Sequence, residues 1–248
     1  MAILVLSATS DIAKAGCALF QARGQRLLLA VRNVSAVTES ANAKVIPYDA
    51  WSDEKDAASA EAFWHRCVIA AQDHWNETID GVYVAQGYLP PGDVSRWKDE
   101  LEKSIFLNFT SVALFLDAVA RWMEQAGDGK KRWIAVISSV AADRGRRSNY
   151  PYGAAKAGLD AYLSGLRARM FGCGVHVLTV RPGLVRTKMI AGRPQADSVT
   201  AVCPEKIAGQ IDRAIRRRRN ILYTPGWWFW MMFFVRSIPE CLFKRMKV

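Results

Sequence analysis

Short runs of apolar, β-branched and aromatic residues alternate along the chain with longer runs of helical period. Candidate strands lie at residues 2–6, 26–31, 44–47, 81–85, 133–138, 175–180 and 221–223. Between them, near 11–23, 54–75, 97–126, 151–171 and 204–218, apolar positions recur at helical spacing. This alternation predicts an α/β fold: a doubly wound parallel sheet of about seven strands with helices on its faces. No internal repeat and no linker rich in Pro, Gly or Ser divides the chain. The segment 188–203 lacks clear periodicity and is expected to be mobile.

Composition narrows the possibilities. A length of 248 residues is compatible with one Rossmann-type domain and one substantial core. Apolar residues make up 51%, which excludes a disordered chain. Lys and Arg outnumber Asp and Glu by 34 to 23, and the resulting +11 points to an anionic partner. That partner is a phosphate-bearing cofactor, a membrane surface or nucleic acid. With no zinc-finger spacing or aromatic-rich RNA-binding signature, nucleic acid is the weakest of the three. The five cysteines (Cys17, Cys67, Cys173, Cys203 and Cys241) are scattered and free of CxxC spacing. They read as reduced thiols of a cytoplasmic protein, with no metal site implied. A strand-like run already begins at residue 2, so no signal peptide is expected.

Chemistry concentrates in SSVAADRGRRSNYPYGAAK, residues 138–156. Tyr152 and Lys156 lie four apart in a helical run, which places them on one face. A phenol titrates near ~10 and is a poor acid at neutral pH. An ammonium one turn away favours the phenolate and makes the tyrosine a usable proton donor. Ser139 stands thirteen residues earlier, at the end of the apolar run WIAVIS. A bare YxxxK is a weak signal, whereas a strand ending in Ser, then YxxxK, then a further strand and RPG, is a strong one. The combination resembles the short-chain dehydrogenase/reductase family. There a Ser, a Tyr-x-x-x-Lys and an upstream Asn form a catalytic tetrad, which maps here onto Ser139, Tyr152, Lys156 and Asn108 in FLNFTS. The resemblance implies NAD(P)H-dependent reduction of a ketone. Tyr152 would protonate the developing alkoxide and Ser139 would hydrogen-bond the same oxygen. Lys156 would lower the tyrosine pKa and reach the ribose hydroxyls, and Asn108 would hold a water in the relay. The segment 188–203 would cover the substrate.

The same resemblance places the cofactor along the strand ends. LSATSDIAKAG follows the first strand where the family carries a TGxxxGxG turn, with Ser7, Asp11 and Ala13 at the glycine positions and Leu6 at the Thr. Ser7, Thr9, Ser10, Asp11 and Ile12 would line the pyrophosphate. Close approach survives if the backbone needs no positive φ at the small residues. Asp11 suits the helix dipole but would repel a nearby phosphate. No acid ends the second strand; Arg32 would pair with the 2′-phosphate of NADP, so NADP(H) is favoured over NAD(H). Asp49 would meet the adenine. In VAQG (84–87), Ala85 and Gly87 would lie beside the ribose and nicotinamide. In RPGLVRT (181–187), Pro182, Gly183 and Val185 shape the turn and Thr187 would hold the carboxamide.

The chain divides into a catalytic domain, 1–225, and a tail, 226–248. The tail carries nine apolar residues at 227–235, too few for a bilayer span of ~20. A core helix closing the sheet is the ordinary reading of such a run. Its three tryptophans, bracketed by four arginines at 216–219 and by Lys244, Arg245 and Lys247, favour docking at a membrane surface. A dimer interface is the main rival, and a homo-oligomer is expected. RGRRSNYPYG and the ending SIPECLFKR narrow the resemblance to the decaprenylphosphoryl-2-keto-erythropentose reductases and their Gram-negative relatives. That similarity implies reduction of a 2-keto pentofuranose on a polyprenyl phosphate, with a flavin-dependent oxidase making the ketone. The pair would convert a ribosyl lipid to an arabinosyl one. Arg144, Arg146 and Arg147 would then meet the substrate phosphate as charge-assisted donors, a solvated basic loop being the alternative. A reductase of a soluble or simpler lipid carbonyl, and a non-catalytic dinucleotide-binding scaffold of a membrane complex, are the rival functions.

Overall fold

Seven strands pair in parallel in a single sheet: β1 (Ala2–Leu6), β2 (Arg26–Val31), β3 (Ala43–Pro47), β4 (Ile79–Val84), β5 (Trp133–Ile137), β6 (His176–Pro182) and β7 (Ile221–Thr224). Their order is β3-β2-β1-β4-β5-β6-β7, so the winding reverses between β1 and β4. In such sheets the crevice outside the carboxyl ends of the strands at that reversal holds the ligand. The computed structural model describes residues 1–53, 55–90, 97–193 and 198–246, with backbone alone at 97–99.

Strand side chains alternate between faces, and the sequence separates into two cores accordingly. Ala2, Leu4 and Leu6 of β1 join one, with α3 (Ala57–Trp75), α5 (Ser111–Gln125) and α6 (Tyr150–Phe171) packed over it through Trp64, Phe115, Leu159 and Leu163. Ile3 and Val5 join the other, covered by α1 (Asp11–Gln21) and α7 (Pro204–Arg216) through Phe20, Ile207 and Ile211. Each such fully buried side chain contributes about 1.5–3 kcal/mol.

The helix predicted over 54–75 is α3, and a short helix the pattern does not predict, α2 (Ala50–Asp53), precedes it. α3 begins late because Asp56 caps it, accepting the Ser59 amide at 2.8 Å while the Ser59 hydroxyl accepts the Asp56 amide at 3.2 Å. α4 (Trp97–Ile105) runs into α5 through one π turn, Phe106–Thr110. Residues 100–125 are long and apolar enough to cross a membrane by composition, but half of their most apolar window is buried inside the fold. In the tail, α8 (Trp227–Ser237) and α9 (Glu240–Phe243) form two short helices. Trp228 and Met232, one turn apart on α8, pack with Val140, Leu184 and Tyr223 into a small third core. Residues 194–197, part of the aperiodic segment, lie outside the described residues. Around them, Lys188–Ile190 forms a 3-10 turn and Arg193 donates to the Pro90 carbonyl at 2.7 Å.

Candidate active site

β5 ends at Ile137, and Ser139 caps the 3-10 turn Val140–Ala142, its hydroxyl accepting the Ala141 amide at 3.1 Å. α6 opens with Pro151 in its first turn, where a missing N–H is harmless. One residue on, Tyr152 is buried and its hydroxyl hydrogen-bonds Ser139. Burial holds the phenol pKa above the ordinary tyrosine range, while the Ser139 bond and the charge of Arg146 oppose that rise. The phenol therefore stays protonated at neutral pH, as a proton donor must.

Lys156 is fully buried, and its ammonium donates to the carbonyls of Ile137 at 3.1 Å and Gln86 at 3.4 Å. Burial lowers its pKa to about 8, with Asp160 one turn further along α6 acting the other way. Its Nζ lies 6.0 Å from the Tyr152 ring centroid and points to the strand ends. Arg146 is a cation whose charge lowers the phenol pKa, while the Lys156 ammonium is held by the carbonyls at the ends of β4 and β5. The lysine also sets a pH profile. Lys156 is charged below about 8 and loses its proton above it. Ketone reduction is expected to be level at lower pH and to fall as pH rises through that value. A turnover profile rising through pH 8 would contradict the assignment.

Asn108 is buried within the π turn, a local insertion common at functional sites. Its Nδ2 donates to the carbonyls of Tyr88 at 2.7 Å and Ser104 at 2.8 Å, and its Oδ1 accepts the Tyr88 amide at 2.9 Å. Its side chain thus clamps the loop after β4. Gln86, within the VAQG run, is buried beside it. Its Oε1 accepts the Tyr48 hydroxyl at 3.0 Å, and its Nε2 donates to Ser111 Oγ at 2.7 Å and Leu107 O at 2.9 Å. A lone buried amide leaves no periodic signal in a sequence, so pattern alone does not find it. A Cβ added at Gly87 would lie 3.3 Å from Met189 Cε, 3.7 Å from Asn108 Oδ1 and 3.9 Å from Lys156 Nζ. The backbone there lies open to the catalytic crevice.

At the cofactor end, Ser7 adopts φ +59°, so the turn does require the left-handed backbone that glycine supplies elsewhere. The condition set on close approach, no positive φ at the small residues, is not met at Ser7, and the turn geometry is kept without the glycine. Ser10 caps α1, its Oγ accepting the Ala13 amide at 3.2 Å. Asp11 Oδ2 accepts the Lys188 amide at 2.7 Å, which turns the carboxylate toward the 188–190 turn. Thr9 and Ile12 are half-buried, Ala85 is buried, and Arg32 stands exposed at the end of β2. Asp49 Oδ1 accepts the Trp51 amide at 3.2 Å in the first turn of α2. Pro182 ends β6, Val185 is buried in a bridge to Val202, and Thr187 precedes the 188–190 turn. A left-handed turn, a capped helix start and small residues at 85 and 87 form a cradle that fits a dinucleotide.

The tail meets this crevice directly. A Cβ at Gly183 would fall 1.8 Å from Trp228 Nε1, so only glycine lets the indole lie against the Pro-Gly turn. The apolar run by itself puts Trp228 on a docking surface, and its burial here corrects that expectation. The structure gives Arg144 a different task from the expected one. Its Nη1 donates to the carbonyls of Val235 at 2.7 Å and Ile238 at 2.5 Å, and Nη2 pairs with Glu240 at 2.9 Å. The guanidinium also stacks on Phe243, 3.8 Å from the ring centroid. It caps the C-terminus of α8 and is not open to a substrate. Arg146 is half-buried beside Tyr152, burial lowers its pKa, and its Nε has no hydrogen-bond partner among the described residues. Arg147 is exposed. Beneath α6, Arg181 bridges Asp160 at 2.6 Å and Asp143 at 3.1 Å, and Tyr223 donates to Asp143 at 3.0 Å. No motif singles out Asp160 in the sequence, although it stands one helical turn beyond Lys156.

Comparison with known proteins agrees with this geometry. A family model described as short chain dehydrogenase matches residues 1–198. An uncharacterized oxidoreductase of Streptomyces coelicolor is 33% identical, over 99% of this chain and 96% of that protein. One of Mycobacterium tuberculosis H37Rv is 31% identical, over 91% and 89%. Among solved structures, a short chain dehydrogenase from Burkholderia cenocepacia in complex with NADP superposes with TM-score 0.80 at 15% identity, covering 100% of this chain and 97% of that one. One from Sphingobium yanoikuyae in complex with NADPH gives 0.77 at 21% identity, covering 96% of each.

Proposed function

The chain belongs to the short-chain dehydrogenases, a family of NAD(P)-dependent oxidoreductases, and on that premise we propose that it reduces the 2-keto group of a pentofuranose carried on a polyprenyl phosphate. The observation that carries this reading is Trp228 against Gly183, which sets an exposed aromatic helix beside the catalytic crevice. A substrate whose tail stays in a membrane needs that adjacency; a soluble ketone does not.

Ser7, Thr9, Ser10 and Ile12 would hold the pyrophosphate at the start of α1, Asp49 the adenine, and Gly87 and Thr187 the nicotinamide end. Arg32 would hold the 2′-phosphate of NADP(H), the cofactor that the Burkholderia and Sphingobium neighbours bind. A bound reduced nicotinamide supplies the hydride. Tyr152 gives its phenolic proton to the oxygen of the ketone being reduced, and Ser139 hydrogen-bonds that oxygen. Lys156 stabilises the phenolate left behind. Arg146, with its Nε unpartnered beside Tyr152, is the arginine best placed for the substrate phosphate. The partner reaction is a flavin-dependent oxidation that makes the ketone, at the inner face of the membrane.

The test supplies NADPH or NADH with a short-chain polyprenylphosphoryl 2-keto pentose and, separately, a soluble ketone. A kcat/KM higher on the lipid-linked ketone, and higher with NADPH, is expected. Arg32→Asp should shift the cofactor ratio toward NADH by roughly tenfold or more, as a guanidinium–phosphate pair is exchanged for a carboxylate facing ribose hydroxyls. Equal turnover of both ketones would return the protein to the general reductases, and an unmoved cofactor ratio would remove Arg32 from the site.

A further inference from the structure

Away from the catalytic crevice, a cavity of about 230 Å³ lies between α7, the edge strand β7 and the residue before α8. Arg213, Arg217 and Arg219 line it with Gln210 and Gly226, and no carboxylate does. Two other arginines of the fold are matched by carboxylates: Arg216 pairs with Asp212 at 3.2 Å, and Arg169 with Asp117 at 2.8 Å and Glu124 at 2.7 Å. Arg213, Arg217 and Arg219 have no ion-pair partner among the described residues, although all three are exposed and free to find one. Guanidiniums so gathered repel one another unless an anion joins them, and phosphate oxygens match their planar donors. Gln210 Oε1 is occupied by the Thr224 hydroxyl at 2.5 Å, which leaves its Nε2 as a further donor. α8, eleven residues long, starts at the cavity wall and presents the positive end of its dipole there.

The helix leading away from the cavity identifies the source of the anion. From Trp227 onward α8 exposes Phe229, Trp230, Phe233 and Phe234, an aromatic face of the kind that settles at the level of lipid headgroups. We propose that the cavity lined by Arg213, Arg217 and Arg219 binds the phosphate of an anionic phospholipid headgroup while α8 lies in the membrane interface. The proposal rests on the membrane reading of α8 above. It assigns the cavity a role separate from the substrate phosphate, and it accounts for the gathering of Arg213 of α7 with Arg217 and Arg219 of the turn that leads into β7.

The experiment measures binding of the full chain to vesicles of phosphatidylcholine alone and of phosphatidylcholine with phosphatidylglycerol. Arg213→Gln, Arg217→Gln and Arg219→Gln together should lower affinity for the mixed vesicles about 30-fold or more, given the usual attraction of each basic residue to an anionic surface. A control removing three exposed cations elsewhere (Lys55→Gln, Arg66→Gln and Lys131→Gln) should change it by about threefold at most, since charges beyond a Debye length are screened. Binding to pure phosphatidylcholine should be the same in all three proteins. Folding is checked by thermal melting, and Arg217→Gln alone gives a graded drop should the triple variant not fold. Equal losses in the variant and the control would overturn the site in favour of diffuse charge. Wild-type binding that ignores phosphatidylglycerol would overturn it while sparing the docking of α8. Failure of wild type to bind either vesicle would remove the tail reading and the lipid assignment together. Calorimetry with inorganic phosphate separates the sources: tight binding of the free ion, lost in the triple variant, with no effect of the variant on vesicles, would make this a soluble-phosphate site and overturn the lipid one.

Discussion

Tyr152→Phe is expected to lower ketone reduction by at least ~10²-fold in kcat, the contribution of a positioned general acid. The fold should tolerate the change. The ring is buried and keeps its packing, and the lost hydroxyl leaves Ser139 Oγ still accepting the Ala141 amide. Stability should fall by no more than about 1 kcal/mol, the net worth of one hydrogen bond. Cofactor binding, read by calorimetry with NADPH, should persist, because the cradle is built from the ends of other strands. Arg146→Gln offers a second handle on the same proton. Without that charge the phenol titrates higher, so the variant should turn over more slowly while Tyr152 remains in place. Wild-type rates from the phenylalanine variant would remove Tyr152 from the chemistry, whatever the geometry around it.

Features that depend on local spacing are legible in the sequence. The seven strands and their parallel winding come from alternation of apolar runs, and Tyr152, Lys156 and Ser139 from short offsets along one strand and one helix. Boundaries move where a cap intervenes, as Asp56 shows at the start of α3. Contacts between distant segments are not legible. Arg144 reaches carbonyls more than ninety residues downstream, so its spacing from Tyr152 suggests a substrate role that its partners do not support. Gly183 looks like a turn residue, and only the folded chain shows that Trp228 is what excludes a side chain there. Ser7 shows a different limit. Motif comparison treats its missing glycine as a defect, yet the backbone takes the positive φ anyway. A non-glycine residue in that region is strained by roughly 1–3 kcal/mol, and such strain is found mainly where a ligand is clamped.

The structure divides the aromatic residues of the tail into two groups with different expected effects. Trp230, Phe233 and Phe234 are 62%, 54% and 66% exposed, whereas Trp228 and Met232 are buried against the body. Trp230→Ser, Phe233→Ser and Phe234→Ser together should therefore leave the fold and the crevice intact. Each ring removed withdraws roughly 1.5–3 kcal/mol of apolar insertion if it enters the interface fully, so vesicle binding should drop by at least ~10²-fold. Turnover of a soluble ketone should stay within about twofold of wild type, because none of the three rings touches the tetrad, while turnover of the lipid-linked ketone should fall with vesicle binding. Trp228→Ala should behave differently. It empties the space over Gly183 and unseats the start of α8, with a core-truncation loss of about 3–5 kcal/mol and slower turnover of both ketones. The pair of variants thus separates docking from packing, which a wholesale deletion of the tail would confuse. If the exposed-face variant instead changes a dimer to a monomer in sedimentation and leaves vesicle binding alone, the aromatic face belongs to a second copy of the chain. The lipid-linked ketone would then lose its main physical support.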